Sequence, residues 1–335
     1  MKNRLKRTIA FVLIVCMLSA LLPEMRSVEA DGPDSYTLAN GNIEVTVSAK
    51  NGGFIVRTKD GDKFNKDDNN KRLLFHNGEY DTSFTSFQVT EGTETKEYIF
   101  GGNYSFLGLG ENDIQVREEN GGIVSTWSVD DLTFNQIIQP VWNEGANEHG
   151  TIAIYYTVEN GKDTPVSVKA RLLLDTALEK QDYAYYEMEK AEGGYNRIEN
   201  ETVIQGDDIP ANFFAYDNYN NPTITAFTIS DTSTDGTAPY KAAFGHWNNL
   251  GATVFDFVPD PDMTFTSSYN KRYLTADSAY ALYYDLGMVP GSRAQAASFL
   301  TYYGIYSNVA VAEKDSFSVN ITAPSDLELN TTKDM

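Results

Sequence analysis

Apolar and polar residues alternate along most of the chain downstream of Tyr36. In eight runs the apolar residues recur at about every second position. The runs centre on Val45, Trp127, Phe134, Ile154, Ala170, Leu282, Leu300 and Val319. Because successive side chains of a strand point to opposite faces, this pattern predicts strands with one buried face.

Turn sequences separate these runs. The clearest are Asn51-Gly52, Asp60-Gly61, Asn120-Gly121, Asn160-Gly161 and Pro290-Gly291. Asn-Gly and Asp-Gly pairs adopt the positive φ that tight hairpins require. We therefore predict an all-β fold, a large antiparallel β-sandwich with few or no helices. The one helix candidate runs from Ala177 to Ala191, with Gly193 as a stop.

The first thirty residues have the pattern of a secretory signal peptide. Four basic residues precede an apolar run from Ile9 to Leu22, and small residues around Ala30 offer a cleavage site. The run is about 14 residues long, whereas a membrane-spanning helix needs about 20. We therefore expect a secreted, extracellular or envelope protein with no transmembrane segment in the mature chain.

Cys16 is the only cysteine and lies inside this apolar run. The mature chain then has no disulfide, and thiol catalysis and thiolate metal sites are excluded. A secreted chain without cysteine that is rich in Asn, Thr and Tyr is typical of a Gram-positive bacterium.

Residues 31–311 show no break in composition, and we interpret them as one domain. Residues 312–335 contain one further strand pattern and then a polar tail. We interpret this end as a terminal strand and a linker toward a further surface domain of a longer protein. An ordinary ragged C-terminus is the alternative.

The chain is acidic, with 47 Asp and Glu residues against 26 Lys and Arg residues and a formal net charge of −21. Such a surface repels nucleic acid and anionic polymers, so we expect no nucleic-acid partner. The chain contains no glycine-rich phosphate loop, no nucleophile elbow and no HExxH motif.

Oxygen ligands for Ca²⁺ are available in several acidic stretches. Asp175 and Asp182 are the candidate ligands that we select, with Ca²⁺ as the only cofactor considered. The acidic stretch from Asp60 to Asp68 departs from the EF-hand spacing, because Phe64 occupies a ligand position and no Glu closes the loop. We interpret that stretch as a solvated hairpin tip.

Tyr183, Tyr185 and Tyr186 lie close to both aspartates, and Trp247 lies in a loop-like context. Exposed aromatic rings stack on the faces of sugars, so these four residues are candidate carbohydrate-binding residues. Core packing is the alternative, because most Tyr and Trp side chains are largely buried.

Three histidines, His76, His149 and His246, are the candidates for acid–base chemistry. Sugar epimerisation needs paired proton transfers, which histidine and a carboxylate can provide. This hypothesis requires that a histidine meets a carboxylate on a concave sheet face.

Several segments, taken in order, resemble a known family. The first two run from Thr82 to Val89 and from Lys96 to Gly101, and the third runs from Val168 to Thr176. The later ones are Ile209-Pro210, Asn221-Pro222, Asp277-Ser278-Ala279, Pro290-Gly291-Ser292 and the run from Thr301 to Gly304. This order resembles the N-terminal galactose-mutarotase-like β-supersandwich domain of large surface proteins of bacteria and archaea.

The resemblance implies a supersandwich fold and no firmly assigned catalysis. The chain departs from the family after Thr176, where Ala177 to Asp182 stands in place of an Asn-Asp-Gly element.

Two functions are consistent with these features. The first is a secreted, non-catalytic cell-surface module with a structural or adhesive role and with cell-wall or extracellular carbohydrate as its partner. The second is a carbohydrate-active enzyme of the mutarotase, epimerase or polysaccharide lyase type.

Overall fold

The computed structural model describes residues 33–60, 66–76, 82–102, 114–141, 150–189, 193–229, 236–268 and 272–305. These residues form eighteen strands. In chain order they are β1 Ser35–Ala39, β2 Ile43–Ser48, β3 Phe54–Thr58, β4 Phe84–Glu91, β5 Glu94–Ile99, β6 Ile114–Glu119, β7 Gly122–Val129, β8 Leu132–Pro140, β9 Thr151–Asn160, β10 Val166–Asp175, β11 Tyr185–Glu189, β12 Tyr195–Ile198, β13 Thr202–Gln205, β14 Asn212–Tyr216, β15 Thr225–Ile229, β16 Lys241–Gly245, β17 Ala279–Val289 and β18 Ala297–Ile305.

The strands form three sheets, and the neighbouring strands in each run antiparallel. A small sheet has the order β1-β2-β3. A six-stranded sheet has the order β13-β16-β17-β10-β4-β5, and a nine-stranded sheet has the order β12-β11-β14-β15-β18-β9-β8-β7-β6. The predicted all-β antiparallel sandwich is confirmed.

The main hydrophobic core lies between the two large sheets. Phe87 of the six-stranded sheet packs on Phe134 of the nine-stranded sheet, with ring centroids 4.4 Å apart. Tyr284 stacks on Phe299 across the same interface at 4.3 Å. Each of these rings is almost fully buried, so burial of apolar area stabilises the contact between the sheets.

Four of the five predicted turns lie at the junctions between consecutive strands: Asn51-Gly52, Asn120-Gly121, Asn160-Gly161 and Pro290-Gly291. The fifth, Asp60-Gly61, reaches outside the described residues. The hairpin between β6 and β7 turns at Asn120 and Gly121, whose φ angles are 51° and 77°. Two consecutive positive φ angles are the geometry of the hairpin turn that follows the right-handed twist of its strands.

The helix predicted from Ala177 to Ala191 is wrong. Residues 185–189 form β11, which pairs with β12 and β14. Glu179 has a φ of 58°, which a helix does not contain. The helix-forming residues of this segment are overridden by pairing inside the large sheet, because tertiary context outweighs intrinsic propensity.

Helical structure in the described ranges is confined to short turns. These are the helix α1, Trp247–Leu250, and two 3₁₀ turns, Lys66–Asp68 and Gly206–Asp208. None of the helices described here has the length and the apolar character needed to cross a membrane. The signal peptide over residues 1–30 and the terminal strand and linker over 312–335 lie outside the described residues and stay predictions.

Candidate functional site

Most of the site residues predicted from the sequence lie on the segment 175–185, which joins β10 to β11. This segment is fixed against Arg72 and Leu73, which lie between β3 and β4. The Ala177 amide donates to the Leu73 carbonyl at 3.3 Å, and the Glu179 amide donates to the Arg72 carbonyl at 3.1 Å. Two main-chain hydrogen bonds thus hold the segment in place at the end of the six-stranded sheet.

A polar pocket of about 570 Å³ opens beside this segment, within the size range of small-ligand sites. It is lined by Asp67, Asn69, Lys71, Leu178, Glu179, Lys180, Gln181, Asp217 and Thr223. Lys71 Nζ and Glu179 Oε1 form an ion pair at 2.6 Å in its wall. Asp217 Oδ1 accepts from the amides of Thr223 and Ile224 at 2.9 and 3.2 Å, which fixes the loop between β14 and β15.

Four half-buried tyrosines form a contiguous aromatic strip next to the pocket: Tyr183, Tyr185, Tyr219 and Tyr216. Their ring centroids are 5.6 Å apart for Tyr183 and Tyr185, 4.5 Å for Tyr185 and Tyr219, and 6.0 Å for Tyr219 and Tyr216. The segments 178–185 and 216–223 contribute to both the strip and the pocket, and Asp67, Asn69 and Lys71 complete the pocket lining.

The position of Tyr219 is fixed from two sides. Its hydroxyl donates to the Tyr186 carbonyl at 3.0 Å. The Arg197 guanidinium lies 3.8 Å from the centroid of its ring, and Arg197 Nε donates to Glu187 Oε1 at 3.3 Å. Cation–π contact and the ion pair thus hold one end of the aromatic strip in a defined orientation.

Two of the four predicted carbohydrate-binding residues lie elsewhere. Tyr186 is fully buried, and its hydroxyl lies 3.1 Å from Ser278 Oγ. A ring inside the core has no face to offer a sugar, so Tyr186 leaves the candidate set. Trp247 is half-buried in α1, packs on the outer side of the six-stranded sheet and donates from Nε1 to the Thr82 carbonyl at 3.0 Å.

Three carboxyl groups influence one another at the end of β10. Asp175 is only 3% exposed. Burial raises the pKa of Asp175 well above its usual range, and the charges of Asp277 and Asp182 raise it further. Burial and the charge of Asp182 raise the pKa of Asp277 to about 8. Burial also raises the pKa of Asp182, against the opposing effect of Arg72.

The sequence identified Asp175 and Asp182 but did not select Asp277. The pairing of β10 with β17 explains why Asp277 belongs to this group of carboxyls. Asp175 of β10 pairs with Ala279 of β17, so Asp277 lies two residues before that pair. The signal was available only as the resemblance of Asp277-Ser278-Ala279 to a family segment.

A metal site is not assembled in the described ranges, where no group of three or more Asp, Glu, His or Cys side chains is arranged to bind an ion. Asp175 Oδ1 and Asp182 Oδ1 are buried without a hydrogen-bond partner. Their raised pKa values favour the neutral carboxyl, which is a poor ligand for Ca²⁺. Calcium at Asp175 and Asp182 stays a prediction.

The histidines give the enzymatic hypothesis little geometric support. His246 caps α1: its Nδ1 accepts from the Asn248 amide at 3.2 Å, and its Nε2 lies 3.1 Å from the Thr275 carbonyl. Burial and the charges of Arg57 and Arg72 lower the pKa of His76. His149 lies outside the described residues.

No model of a known protein family matches the chain, and no curated protein matches its sequence. Solved structures of similar fold include a galactose mutarotase-like protein from Lactobacillus casei. It is 9% identical, the match covers 81% of this chain and 100% of that one, and the TM-score is 0.48. A galactose mutarotase related enzyme from Lactobacillus acidophilus is 8% identical over 82% of this chain and 97% of that one, with a TM-score of 0.47.

A polysaccharide lyase is 12% identical over 80% of this chain, with a TM-score of 0.44. The match spans 33% of the length of the lyase chain.

Proposed function

We propose that the protein is a secreted, non-catalytic module of the cell surface or envelope that binds carbohydrate at the aromatic strip. The observation that carries the proposal is the contact of Tyr185 with Tyr219, 4.5 Å between centroids, at the centre of a half-exposed row of rings. The flat C–H face of a pyranose packs on such rings, since both surfaces are apolar and rigid. Secretion rests on the sequence of residues 1–30.

The polar pocket beside the strip complements this stacking surface. Sugar hydroxyls need donors and acceptors at fixed positions, which Lys71, Glu179 and Gln181 provide. The net charge of −21 disfavours polyanionic glycans. We therefore expect a neutral or amino-substituted polysaccharide as the ligand, with a structural or adhesive role for the protein.

A glycan array with the mature chain tests this proposal. Tyr185→Ala and Tyr219→Ala should each weaken binding of the selected glycan about tenfold, the loss of ~1.4 kcal/mol. Tyr195→Ala is the matched control, because Tyr195 is 54% exposed and its ring lies against Phe214. Absence of any bound glycan, or equal affinity in all three variants, contradicts the proposal.

The second candidate function is a carbohydrate-active enzyme of the mutarotase or lyase type. It is favoured by one observation, the group of carboxyls with raised pKa values at Asp175, Asp182 and Asp277, because such perturbation is common at catalytic sites. The test is turnover of aldoses, followed by polarimetry, and of uronate polysaccharides, followed by ultraviolet absorbance. Activity that Asp277→Asn removes without loss of fold would replace the binding proposal with this one.

A further inference from the structure

The edges of the two large sheets lie side by side on one flank of the molecule. β12 is the last strand of the nine-stranded sheet and β13 the last strand of the six-stranded sheet. Only residues 199–201 separate these two strands along the chain. In the described part of the chain, β13 pairs with β16 alone and β12 pairs with β11 alone. Residues 199–201, just before β13, pair with residues 263–265, so the free edge of β13 is confined to residues 202–205.

Two adjoining cavities, of about 940 and 630 Å³, form a groove between these edges. They share Met188, Asn196 and Ile204. We call this the edge groove. Its floor is apolar and half-buried: Met188, Ile204 and Ile209 also pack on the main core. The floor of the groove is therefore a continuation of the core that the described residues leave partly uncovered.

The rim of the edge groove is acidic. It is formed by Glu189, Glu199, Asp207 and Asp208, and no ion pair engages these four side chains in the described residues. Arg197, the one cation that the described residues contribute to the lining, is engaged with Glu187 and with the Tyr219 ring. An acidic rim without ion pairs among the described residues, around an apolar floor, is complementary to a ligand that is both basic and apolar.

Edge strands of soluble proteins are usually protected by charged side chains, prolines or bulges on the strand itself. β13 has none of these. Its sequence is Thr202, Val203, Ile204 and Gln205, and its register with β16 is uninterrupted. The charges lie on the flanking segments instead, so they select a partner strand without blocking the edge.

A second copy of the chain fits this groove poorly, because two acidic rims and two chains of net charge −21 repel each other. We propose that the edge groove docks an extended segment of a partner protein in which basic and apolar residues alternate, and that this segment pairs with the free edge of β13. Apolar side chains then enter the groove, and basic side chains reach the rim. This is strand addition, in which main-chain hydrogen bonds give affinity and alternate side chains give specificity.

The test is fluorescence anisotropy of the full chain with a labelled octapeptide of alternating lysine and valine. We expect saturable binding that weakens at high salt, since exposed charge pairs are screened. The double variant Asp207→Asn with Asp208→Asn should weaken binding about fivefold or more. Its matched control is Glu94→Gln with Glu97→Gln, which neutralises two exposed acids on β5, the opposite edge of the same sheet.

A second peptide isolates the pairing step. N-methylation of alternate residues removes the amides that one edge of the peptide donates, and leaves the charges in place. The methylated peptide should lose most of its affinity for the chain. Equal binding of the methylated peptide, equal binding of a glutamate–valine octapeptide, or no effect of the double variant overturns the proposal. A dimer of the chain that Ile204→Lys dissociates would assign the groove to a second copy and overturn it as well.

Discussion

Tyr185 and Tyr219 pack ring against ring at 4.5 Å, with the planes inclined by 39°. Tyr185 begins β11 and Tyr219 lies in the loop between β14 and β15. The contact therefore joins the two segments that build the pocket and the aromatic strip. We expect it to stabilise both the fold and the binding surface.

A double-mutant cycle measures this contact. Tyr185→Ala and Tyr219→Ala should show a coupling free energy of unfolding of about 0.5–1.5 kcal/mol, the usual value for an aromatic pair. Urea denaturation of the four chains gives the value. Tyr185→Ala combined with Tyr240→Ala is the control and should be additive, because Tyr240 packs on Tyr283 in the other large sheet. A coupling of zero for the first pair would show that the rings do not support each other in solution.

The acidic group at the end of β10 predicts a loss of stability at high pH. Native Asp277 has a pKa of about 8, above its ordinary value of 3.8. Between these values the native state binds more protons than the unfolded state, so the free energy of unfolding falls as the pH rises. The stabilisation is complete below about pH 4 and is lost above about pH 8. The pKa values of Asp175 and Asp182 are also raised, so these two carboxyls change the free energy of unfolding in the same direction.

Denaturation at pH 5, 7 and 9 checks this prediction. We expect the free energy of unfolding to decrease by about 2–4 kcal/mol from pH 5 to pH 9. This is less than the pKa shift of Asp277 would give if that carboxyl titrated alone, because the three carboxyls are coupled. Asp277→Asn should reduce the slope. Asp130→Asn is the control. The pKa of Asp130 is lowered, so this carboxyl changes the free energy of unfolding only at acid pH. A flat profile in the parent chain would mean that these carboxyls are ionised in the native state.

Much of the fold was predictable because its strands bury one face. Ile43, Val45 and Val47 alternate with polar neighbours and are fully buried in β2. The failure at β11 has a physical cause. The segment from Ala177 to Ala191 is rich in Ala, Glu and Lys, and its strand form is fixed by pairing with β14, whose sequence lies more than twenty residues away.

The candidate site was only half predictable for the same reason. Asp182, Tyr183 and Tyr185 are close in sequence, so a local pattern could indicate them. Tyr219 and Asp277 reach the site through strand pairing and loop packing. Tyr219 has no distinguishing local sequence, and Asp277 is marked only by the resemblance of its segment to a family segment. Tyr186 was included although alternation along β11 turns it to the opposite face from Tyr185.

Chelation tests the calcium prediction at Asp175 and Asp182. If these carboxylates bind Ca²⁺, EDTA should lower the melting temperature by several degrees, because a ligand of the native state stabilises it. Asp182→Asn should abolish that shift, and Asp60→Asn should leave it unchanged. A melting temperature that is identical with and without EDTA would remove the metal from this site and leave protonation as the way in which the buried carboxyls are accommodated.

Replacing Arg171 should cause a large loss of stability, although this residue lies outside the candidate site. Its side chain is fully buried in β10. Its guanidinium donates to the carbonyls of Leu250 at 2.7 Å and Val254 at 3.0 Å, and also to that of Thr253. Replacement by Met keeps most of the volume but removes all three bonds. The carbonyls of Leu250 and Val254 then keep only the bonds from Thr253 and Ser86, so we expect a loss of about 3 kcal/mol in the free energy of unfolding.

Arg171→Lys should recover only part of this loss, because one ammonium cannot reach the three carbonyls with the geometry of the guanidinium fork. Lys169→Met on the same strand is the control, since Lys169 is half-buried and lies 5.5 Å from the Tyr240 ring. Its cost should stay below about 1 kcal/mol. Proteolysis within the loop that follows α1 should increase in Arg171→Met alone, because the guanidinium donates three of the hydrogen bonds that fix α1 and this loop to the sheet. Equal stability and equal proteolysis of the two Met variants would show that packing, and not Arg171, holds that loop.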